Sequence, residues 1–354
     1  MDTSSPTRAP ALDALGPAPL TGLRAPLVDR RGRVARKVRI SLTDRCNFAC
    51  LFCMPSKEKV HWLPRDELLS FEEVERVARV LVSLGVRKVR LTGGEPLIRP
   101  NLEELVRRLV RIPGLEEVDM TTNAWFLAEK ARALREAGLH GVTVSLHSLR
   151  RDRFRQIAGM DALPRVLEGI EAARREGLAP VKINSVAIRG YNEDEVLDLV
   201  DFARDRDISL RFIEFMPLDG RGTWDPEKVV SGHDLRAAIE SRYVLLPRGR
   251  GDGETAQRWG FEDGRGEVGL ITPITEPFCD DCDRIRLTAD GQFLTCLFDR
   301  NLHDLRTPLR AGATDEELAE RIRASYDQKP AGVQYLGDLR KTWVKPRAMH
   351  AIGG

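Results

Sequence analysis

Between Val38 and Phe215, short segments with apolar residues at alternate positions are interleaved with segments of helical periodicity. The alternating segments predict six strands: Val38–Leu42, Val86–Leu91, Val118–Thr121, Gly141–Leu146, Val181–Ala187 and Leu210–Ile213. Apolar positions with a period near 3.6 predict helices between them: Phe71–Leu84, Leu102–Val110, Leu127–Ala137, Leu163–Glu176 and Glu193–Asp205. This order indicates a parallel sheet covered by helices, in a closed, partly closed or open arrangement.

The flanking regions differ in composition from this segment. Residues 1–28 are rich in Pro, Ala and Gly without periodicity, and are expected to form a flexible leader. After Pro217 the sequence becomes Gly-rich and hairpin-like, which predicts a main domain over 29–217, a smaller one over 218–340 and a tail over 341–354. At the second helix, Asn101 and Glu104 have the spacing of a capping box.

The predicted strands place polar residues on one face of the sheet. A parallel sheet covered on both faces normally has continuous apolar strands, so the alternation is unusual. The sixth strand follows it only through Arg211. A solvated face is the alternative, but helix-linked strands rarely leave a face in water, which favours a barrel lumen for a large polar ligand. The polar set is Arg39, Ser41, Thr43, Arg90, Thr92, Asp119, Thr121, Asn123, Thr143, Ser145, His147, Lys182 and Asn184.

Composition narrows the function classes. The 354 residues suffice for about two domains. Lys plus Arg number 56 against 54 for Asp plus Glu, so the net charge of +2 argues against a polybasic nucleic-acid surface. Uninterrupted apolar runs of about 18 residues, which a bilayer span needs, do not occur. The start, Met-Asp-Thr-Ser-Ser-Pro, lacks the pattern of a signal peptide, and a cytoplasmic location is expected.

Three of the six cysteines follow the first strand. Cys46, Cys50 and Cys53 form C-x3-C-x2-C where α/β folds place their chemistry. In a reducing compartment such cysteines indicate metal or redox chemistry rather than disulfides. A [4Fe–4S] cluster normally has four cysteine ligands, so three would leave one iron open to substrate. A zinc knuckle completed by His61 is the alternative.

The other three cysteines lie in the second predicted domain, as Cys279-x2-Cys282-x13-Cys296. A two-residue turn at Asp290-Gly291 would place Ile285 opposite Cys296 and return Cys296 to the other two. A second open cluster is the simplest interpretation, and a zinc site completed by His303 is the alternative.

The strand after Cys282 carries two arginines. Arg284 and Arg286 project to one face while Ile285 takes the other. Because a guanidinium binds phosphate through two parallel hydrogen bonds, this pair suits a polyphosphate or a purine edge.

Two motifs resemble those of a known superfamily. The segment Cys46–Cys53, with aromatic Phe52 before the third cysteine, resembles the radical S-adenosylmethionine signature. Gly93-Gly94-Glu95-Pro96 resembles its companion motif, which meets the amino end of the methionine moiety. Glycines allow a close backbone approach to a ligand, and Glu95 can accept from an ammonium group.

From Val38 onward the chain resembles the GTP 3′,8-cyclase family. The supporting motifs are Arg90–Pro96, Thr121–Asn123, Arg211–Met216, the second cysteine trio with its Arg-x-Arg, and a terminal Gly-Gly. The resemblance implies a partial (βα)6 TIM-type barrel with a smaller C-terminal domain closing its mouth, two [4Fe–4S] clusters and S-adenosylmethionine. It implies a lyase that converts GTP to 3′,8-cyclo-7,8-dihydro-GTP through a 5′-deoxyadenosyl radical, in molybdenum cofactor biosynthesis.

The resemblance also implies partners and site residues. It implies an external one-electron reductant and transfer of the product to cyclic pyranopterin monophosphate synthase, and it allows a homodimer; neither nucleic acid nor a membrane is expected as a partner. The tail is expected to enter the active site. By motif position, the implied S-adenosylmethionine contacts are Phe52, Gly94, Ser145 and Met216; the GTP contacts are Arg39, Arg90, Thr121, Lys182, Arg284, Ile285 and Arg286; further active-site candidates are Glu95, Arg211, Gly353 and Gly354.

Two residues depart from the family pattern: His147 stands where the family has Asp, and Ala124 where it has Gly. Both concern the geometry of the cofactor pocket. Two alternatives remain: a two-cluster radical enzyme that modifies a peptide or tRNA, and a non-enzymatic electron carrier. Cleavage of S-adenosylmethionine only when GTP is present would distinguish the three.

Overall fold

Six parallel strands lie side by side in chain order at the centre of the computed structural model, which describes residues 24–54, 60–218, 222, 224–251, 253–299, 301–332 and 348–353. The strands are β1 (Lys37–Ser41), β2 (Lys88–Thr92), β3 (Glu117–Thr122), β4 (Gly141–Ser145), β5 (Val181–Ala187) and β6 (Ser209–Glu214). All six predicted strands are confirmed, with shifts of at most a few residues at their ends.

Helices connect these strands as the periodicity predicts. They are α1 (Phe71–Ser83), α2 (Leu102–Val110), α3 (Leu127–Glu136), α4 (Arg151–Ala158), α5 (Leu163–Arg175) and α6 (Val196–Arg204). The predicted Glu193–Asp205 helix begins with a 3-10 turn, Glu193–Glu195. Helix α4 was not predicted, because its sequence is dominated by charged residues and buries only Phe154, Ile157 and Ala158.

The predicted capping box at Asn101 is wrong. Asn101 adopts a left-handed backbone conformation, φ 56°, and its side chain makes no capping hydrogen bond. Capping boxes occur elsewhere, at Ser70 with Glu73 and at Thr314 with Glu317. The spacing alone did not distinguish these sites, because a capping box also needs the first residue in the extended region.

The C-terminal region extends the sheet at both edges. It supplies β7 (Leu245–Gly249), β8 (Gln257–Phe261), β9 (Glu267–Ile271), β10 (Arg284–Leu287), β11 (Gln292–Leu294) and β12 (His303–Asp304). Strand β9 pairs in parallel with β6, and β10 pairs in parallel with β1. The resulting order is β12-β11-β10-β1-β2-β3-β4-β5-β6-β9-β8-β7, an open sheet that confirms the partial barrel.

Among its described residues, this region also forms the helices α7 (Gly232–Glu240), α8 (Arg306–Arg310), α9 (Asp315–Asp327) and α10 (Met349–Ile352). The domain boundary near residue 218 stays a prediction, since the sheet runs across it. In the described part of the chain, no helix is long and apolar enough to cross a membrane.

The hairpin between β10 and β11 differs from the prediction by one residue. Arg286 lies opposite Leu294 and Leu287 opposite Phe293, so Ile285 does not face Cys296. The Thr288 N–H donates to the Gln292 carbonyl at 2.9 Å, which makes the loop three residues long. A one-residue change of register exchanges the two faces of a strand.

The start of the described chain is packed rather than flexible. Leu27 is 1% exposed, and its N–H donates to the Leu84 carbonyl at 2.9 Å. The Arg24 N–H likewise donates to the Ser83 carbonyl. Residues 24–28 therefore belong to the folded domain and not to the predicted leader, whose residues 1–23 lie outside the described chain.

Candidate active site

A cavity of about 370 Å³ lies inside the partial barrel, and both cysteine trios line it. The sheet turns its apolar face towards the helices, where residues such as Ile40, Leu91 and Ile183 are fully buried. Most of the predicted polar face is confirmed as the cavity wall, whereas Ser41, Thr43 and Thr143 are buried outside its lining. Its lining members are Arg39, Arg90, Thr92, Asp119, Thr121, Asn123, Ser145, His147, Lys182, Asn184 and Arg211.

The first trio lies in a loop that main-chain hydrogen bonds hold in place. The Ala49 and Leu51 N–H groups donate to carbonyls at the end of α4, at 3.0 Å each. The Cys46 sulfur accepts from the Phe48 N–H at 3.4 Å and from Asn123 Nδ2 at 3.7 Å. Hydrogen bonds to cysteine sulfur are a common way to stabilise and tune an iron–sulfur cluster.

The second trio is surrounded by cations and N–H donors. Arg284 Nη2 donates to the Cys282 sulfur at 3.4 Å, and the Phe298 N–H donates to the Cys296 sulfur at 3.4 Å. Lys329 Nζ donates to the Cys282 carbonyl at 3.0 Å. Burial alone would raise the pKa of Cys282, but Arg284 and Lys329 lower it to about 6. This environment favours the thiolate of Cys282, the form that binds metal, whereas burial raises the pKa of Cys296 to about 11.

The arrangement of the cysteines fits clusters better than single zinc ions. Within the described residues, no three Cys, His, Asp or Glu side chains are placed to hold one metal ion. His61 is exposed, and His303 lies on β12 outside the cavity lining. A cubane spreads its cysteine ligands over different irons, and the three cysteines at each end of the cavity lining match that donor set.

The predicted S-adenosylmethionine contacts all reach the cavity: Phe52, Gly94, Ser145 and Met216 belong to its lining. Gly94 has a more specific role than expected, because its close approach is to the protein itself. A Cβ atom there would lie 2.2 Å from the Arg45 carbonyl oxygen, and the Gly94 N–H donates to the Thr43 carbonyl at 2.7 Å. The glycine lets the second-strand loop pack on the cysteine loop.

Glu95 is 1% exposed and already satisfied by the protein. Its carboxylate accepts from the Leu97 N–H at 3.0 Å, from Thr122 Oγ1 at 2.7 Å and from the Asn123 N–H at 2.7 Å. Burial raises the pKa of Glu95 to about 7, against these hydrogen bonds. Glu95 therefore ties the ends of β2 and β3 together beside the cavity, in addition to any contact with an ammonium group.

The structure gives the contacts of His147 and the backbone conformation of Ala124, the two residues that depart from the family pattern. His147 is buried, its Nδ1 accepts from the Val186 N–H at 3.1 Å, and its ring meets that of Phe52 edge-on at 4.7 Å. Burial lowers the pKa of His147 to about 4, so the imidazole is neutral at physiological pH. Ala124 has φ 63°, a left-handed conformation in which a non-glycine residue is strained.

The implied GTP contacts Arg39, Arg90 and Lys182 place three cationic side chains close together on the cavity wall. Thr121, another implied GTP contact, also lines the cavity. Burial and then the neighbouring Arg286 and Arg90 lower the pKa of Arg39 well below its usual range. Burial and Arg211 lower the pKa of Lys182. Buried cations that repel one another are stabilised by an anionic ligand, so the wall is suited to a polyphosphate.

The tail reaches the same wall. Arg286 Nη1 donates to the Ile352 carbonyl at 3.2 Å and also to the Gly353 carbonyl. Gly353 has φ 80°, and a Cβ atom there would lie 2.3 Å from Thr92 Oγ1. Gly354 lies outside the described residues. The Ile285 side chain does not line the cavity, since it is fully buried in the core on the opposite face.

Three residues near the site were not assigned roles from the sequence. Asn123 contacts Cys46, Lys329 contacts the second cysteine loop, and Asp119 forms an ion pair with Arg90. The alternation pattern had placed Asn123 and Asp119 on the polar face. For Lys329 no signal exists in the sequence, because its contact depends on how the chain after α9 folds back.

Comparisons with known proteins agree with this geometry. Residues 40–203 match the profile of the Radical SAM superfamily, and residues 208–335 match that described as Molybdenum Cofactor Synthesis C. The chain is 46% identical to a GTP 3′,8-cyclase of Streptomyces coelicolor, over 93% of this chain and 96% of that protein. It is 44% identical to that of Rhodopirellula baltica, over 93% of this chain and 92% of the relative.

Solved structures share the fold at low identity. Streptococcus suis SuiB bound to S-adenosylmethionine superposes with a TM-score of 0.58 at 16% identity, covering 83% of this chain and 69% of that one. The structure of anSMEcpe with bound AdoMet gives a TM-score of 0.55 at 15% identity, covering 82% of each chain. At such identities the similarity supports the partial barrel alone.

Proposed function

The chain belongs to the GTP 3′,8-cyclase family of radical S-adenosylmethionine enzymes, and we propose from this premise that clusters, cofactor and substrate meet in the one cavity inside the barrel. The enzyme carries two [4Fe–4S] clusters and uses S-adenosylmethionine to convert GTP to 3′,8-cyclo-7,8-dihydro-GTP in molybdenum cofactor biosynthesis. The observation that carries the proposal is that two trios of cysteines line one cavity whose wall is crowded with cations.

The first trio, Cys46, Cys50 and Cys53, would hold the cluster that binds S-adenosylmethionine. When bound at these three thiols, the cluster and its cofactor would supply the radical chemistry of the reaction. Phe52, in the cysteine loop, and Gly94, in the loop after β2, would contact the cofactor on one side of the cavity. The close packing of the Cys46–Cys53 loop on the loop after β2 would fix the position of the reacting ribose carbon and exclude water.

The second trio, Cys279, Cys282 and Cys296, would hold the cluster nearest the nucleobase. Arg284 lies against this trio. The cations Arg39, Arg90 and Lys182 lie on the strands of the barrel and would bind the phosphates. GTP would then bridge the two ends of the cavity, with its ribose between the clusters.

Replacing both Arg284 and Arg286 by Ala tests this assignment. Each lost charge-assisted contact is expected to weaken GTP binding by about 1.5–3 kcal/mol, and iron is measured alongside, because Arg284 also donates to the Cys282 sulfur. Replacement by Lys should rescue binding poorly, because lysine lacks the planar fork. Anaerobic equilibrium binding of GTP measures the effect. Unchanged affinity in the double variant would show that these arginines do not contact the substrate.

Removing Gly353 and Gly354 tests the role of the tail. Because Gly353 occupies a position where a Cβ atom would meet Thr92, we expect the tail to set the geometry at the ribose. The truncated enzyme should keep its iron content and bind GTP with near-parental affinity, yet form little cyclised product. Product is measured anaerobically with reductant. Full turnover would show that the tail is dispensable.

We also propose the enzyme's partners, oligomeric state and location from its family. An external one-electron reductant, transfer of the product to cyclic pyranopterin monophosphate synthase, a homodimer and a cytoplasmic location are consistent with the family and rest on it alone. Substrate GTP and the biosynthetic pathway follow from the family membership itself.

A further inference from the structure

A buried carboxylate lies among the cations of the cavity wall. Asp119 on β3 is 5% exposed, and its Oδ2 accepts from Arg90 Nη2 at 2.7 Å. In register, Arg39 lies beside Arg90, and Arg90 lies beside Asp119. Arg90 Nη1 donates to Thr143 Oγ1 at 2.7 Å. Arg90, a proposed phosphate contact, therefore already has a negatively charged partner.

The surroundings of Asp119 oppose its ionised form. Its buried Oδ1 has no hydrogen-bond donor among the described residues, while the Glu117 carboxylate lies within hydrogen-bonding reach. Burial raises the pKa of Asp119 above its usual range, Glu117 adds to the rise, and Arg90 opposes it. The charged groups that face Asp119 from the surrounding strands are Lys88 and Arg90 on β2, Glu117 on β3, Lys182 on β5 and Arg211 on β6.

A triphosphate on Arg90 would bring further negative charge to this carboxylate. Like charges at close range disfavour ionisation, and the low dielectric of a closed cavity strengthens the effect. Neutralisation by a proton costs less than keeping a buried carboxylate ionised beside phosphate oxygens. Protonated Asp119 gains an O–H group that can donate to Glu117 or to a phosphate oxygen.

We propose that binding of a nucleoside triphosphate in this cavity is coupled to uptake of one proton from solvent by the Asp119 carboxyl group. Asp119 is then a positioning residue that neutralises Arg90 in the free enzyme and becomes a neutral hydrogen-bond donor in the complex. This inference rests on the proposed function, since it requires the phosphates to lie on the strand cations.

The sign of the coupling follows from linkage. Binding raises the pKa of Asp119, so the complex holds more protons than the free enzyme between the two pKa values. The affinity for GTP must therefore fall as pH rises through that window, by at most about tenfold per pH unit for one proton. Asp119→Asn mimics the protonated form and should remove this dependence.

The test is anaerobic calorimetry of GTP binding to the cluster-loaded enzyme without reductant, in buffers of different ionisation enthalpy. At about pH 7.5 the terminal phosphate is largely ionised, so proton uptake reports on the protein. We expect uptake approaching about one proton per GTP in the parent and less in Asp119→Asn. The variant should also bind GTP at least as tightly as the parent at about pH 8.

The matched control is Asp161→Asn, which removes a carboxylate from an exposed ion pair with Arg151, and should behave as the parent. A second measurement uses the parent with guanosine, which lacks phosphates and should bind without proton uptake. Equal proton uptake by the parent and Asp119→Asn, or equal uptake with GTP and guanosine, would overturn the inference and leave the function standing. Failure of the parent to bind GTP would overturn the proposed function instead.

Discussion

Replacing Cys282 by Ser is expected to separate cofactor cleavage from product formation. The variant should retain about four of the roughly eight irons that two cubanes bring, and should still cleave S-adenosylmethionine without forming cyclised product. Replacing Cys50 should remove the other half of the iron and abolish cleavage. The reason is that the two trios, although they line one cavity, are held by different parts of the chain.

The cysteine loops show this independence. The Cys46–Cys53 loop is fixed by hydrogen bonds to the end of α4. The other is held through Cys279, whose carbonyl accepts from Arg33 at 3.1 Å, and through the Lys329 contact to Cys282. Iron and sulfide analysis with S-adenosylmethionine cleavage assays measures the outcome. Zinc at the second site, or complete loss of cleavage in the Cys282→Ser enzyme, would contradict the assignment.

Replacing Gly94 by Ala is expected to have the largest effect on stability. A Cβ atom at Gly94 would lie 2.2 Å from the Arg45 carbonyl oxygen and 2.5 Å from its carbon, and backbone atoms cannot rotate away. The two loops would have to separate, which should destabilise the fold by about 3 kcal/mol or more. Cleavage of S-adenosylmethionine should be lost as well, because both loops line the cavity.

Gly190→Ala is the matched control for this clash. Gly190 has φ 78° with open space around its Cα, so the substitution should cost only about 1–2 kcal/mol of backbone strain. The midpoint of thermal unfolding, measured anaerobically on the cluster-loaded proteins, compares the two variants. A decrease for Gly94→Ala no larger than that for the control would show that the loops can adjust.

Much of the barrel could be predicted from alternation, because strands with one polar and one apolar face leave a clear period of two. Most polar positions of β1 to β5 line the cavity, as Arg39 and Lys182 do. Helix α4 escaped prediction, since charged residues outnumber its three buried ones. The predicted β10–β11 register was also wrong, because Asp-Gly occurs in hairpin loops of two and of three residues.

The cysteines of the site could be identified from spacing, but contacts between distant segments could not. Lys329 meets Cys282 only because the chain after α9 returns to the second cysteine loop. The Gly94 packing against Arg45 likewise depends on two strand ends that meet in space. For Ile285 the pattern predicted the buried face correctly, so the GTP contact that the resemblance implies there stays a prediction that only its main chain could fulfil.

The pairing of β10 with β1 has a consequence for how the protein is made. β1, residues 37–41, leaves the ribosome early, whereas its neighbour β10, residues 284–287, is among the later strands to be translated. Until then one edge of β1 is unpaired, and one edge of β6 is likewise unpaired until β9 has been translated. Unpaired strand edges invite association with other chains, and pairings so distant in sequence form slowly. We expect chains truncated before β10 to aggregate rather than accumulate as a folded barrel.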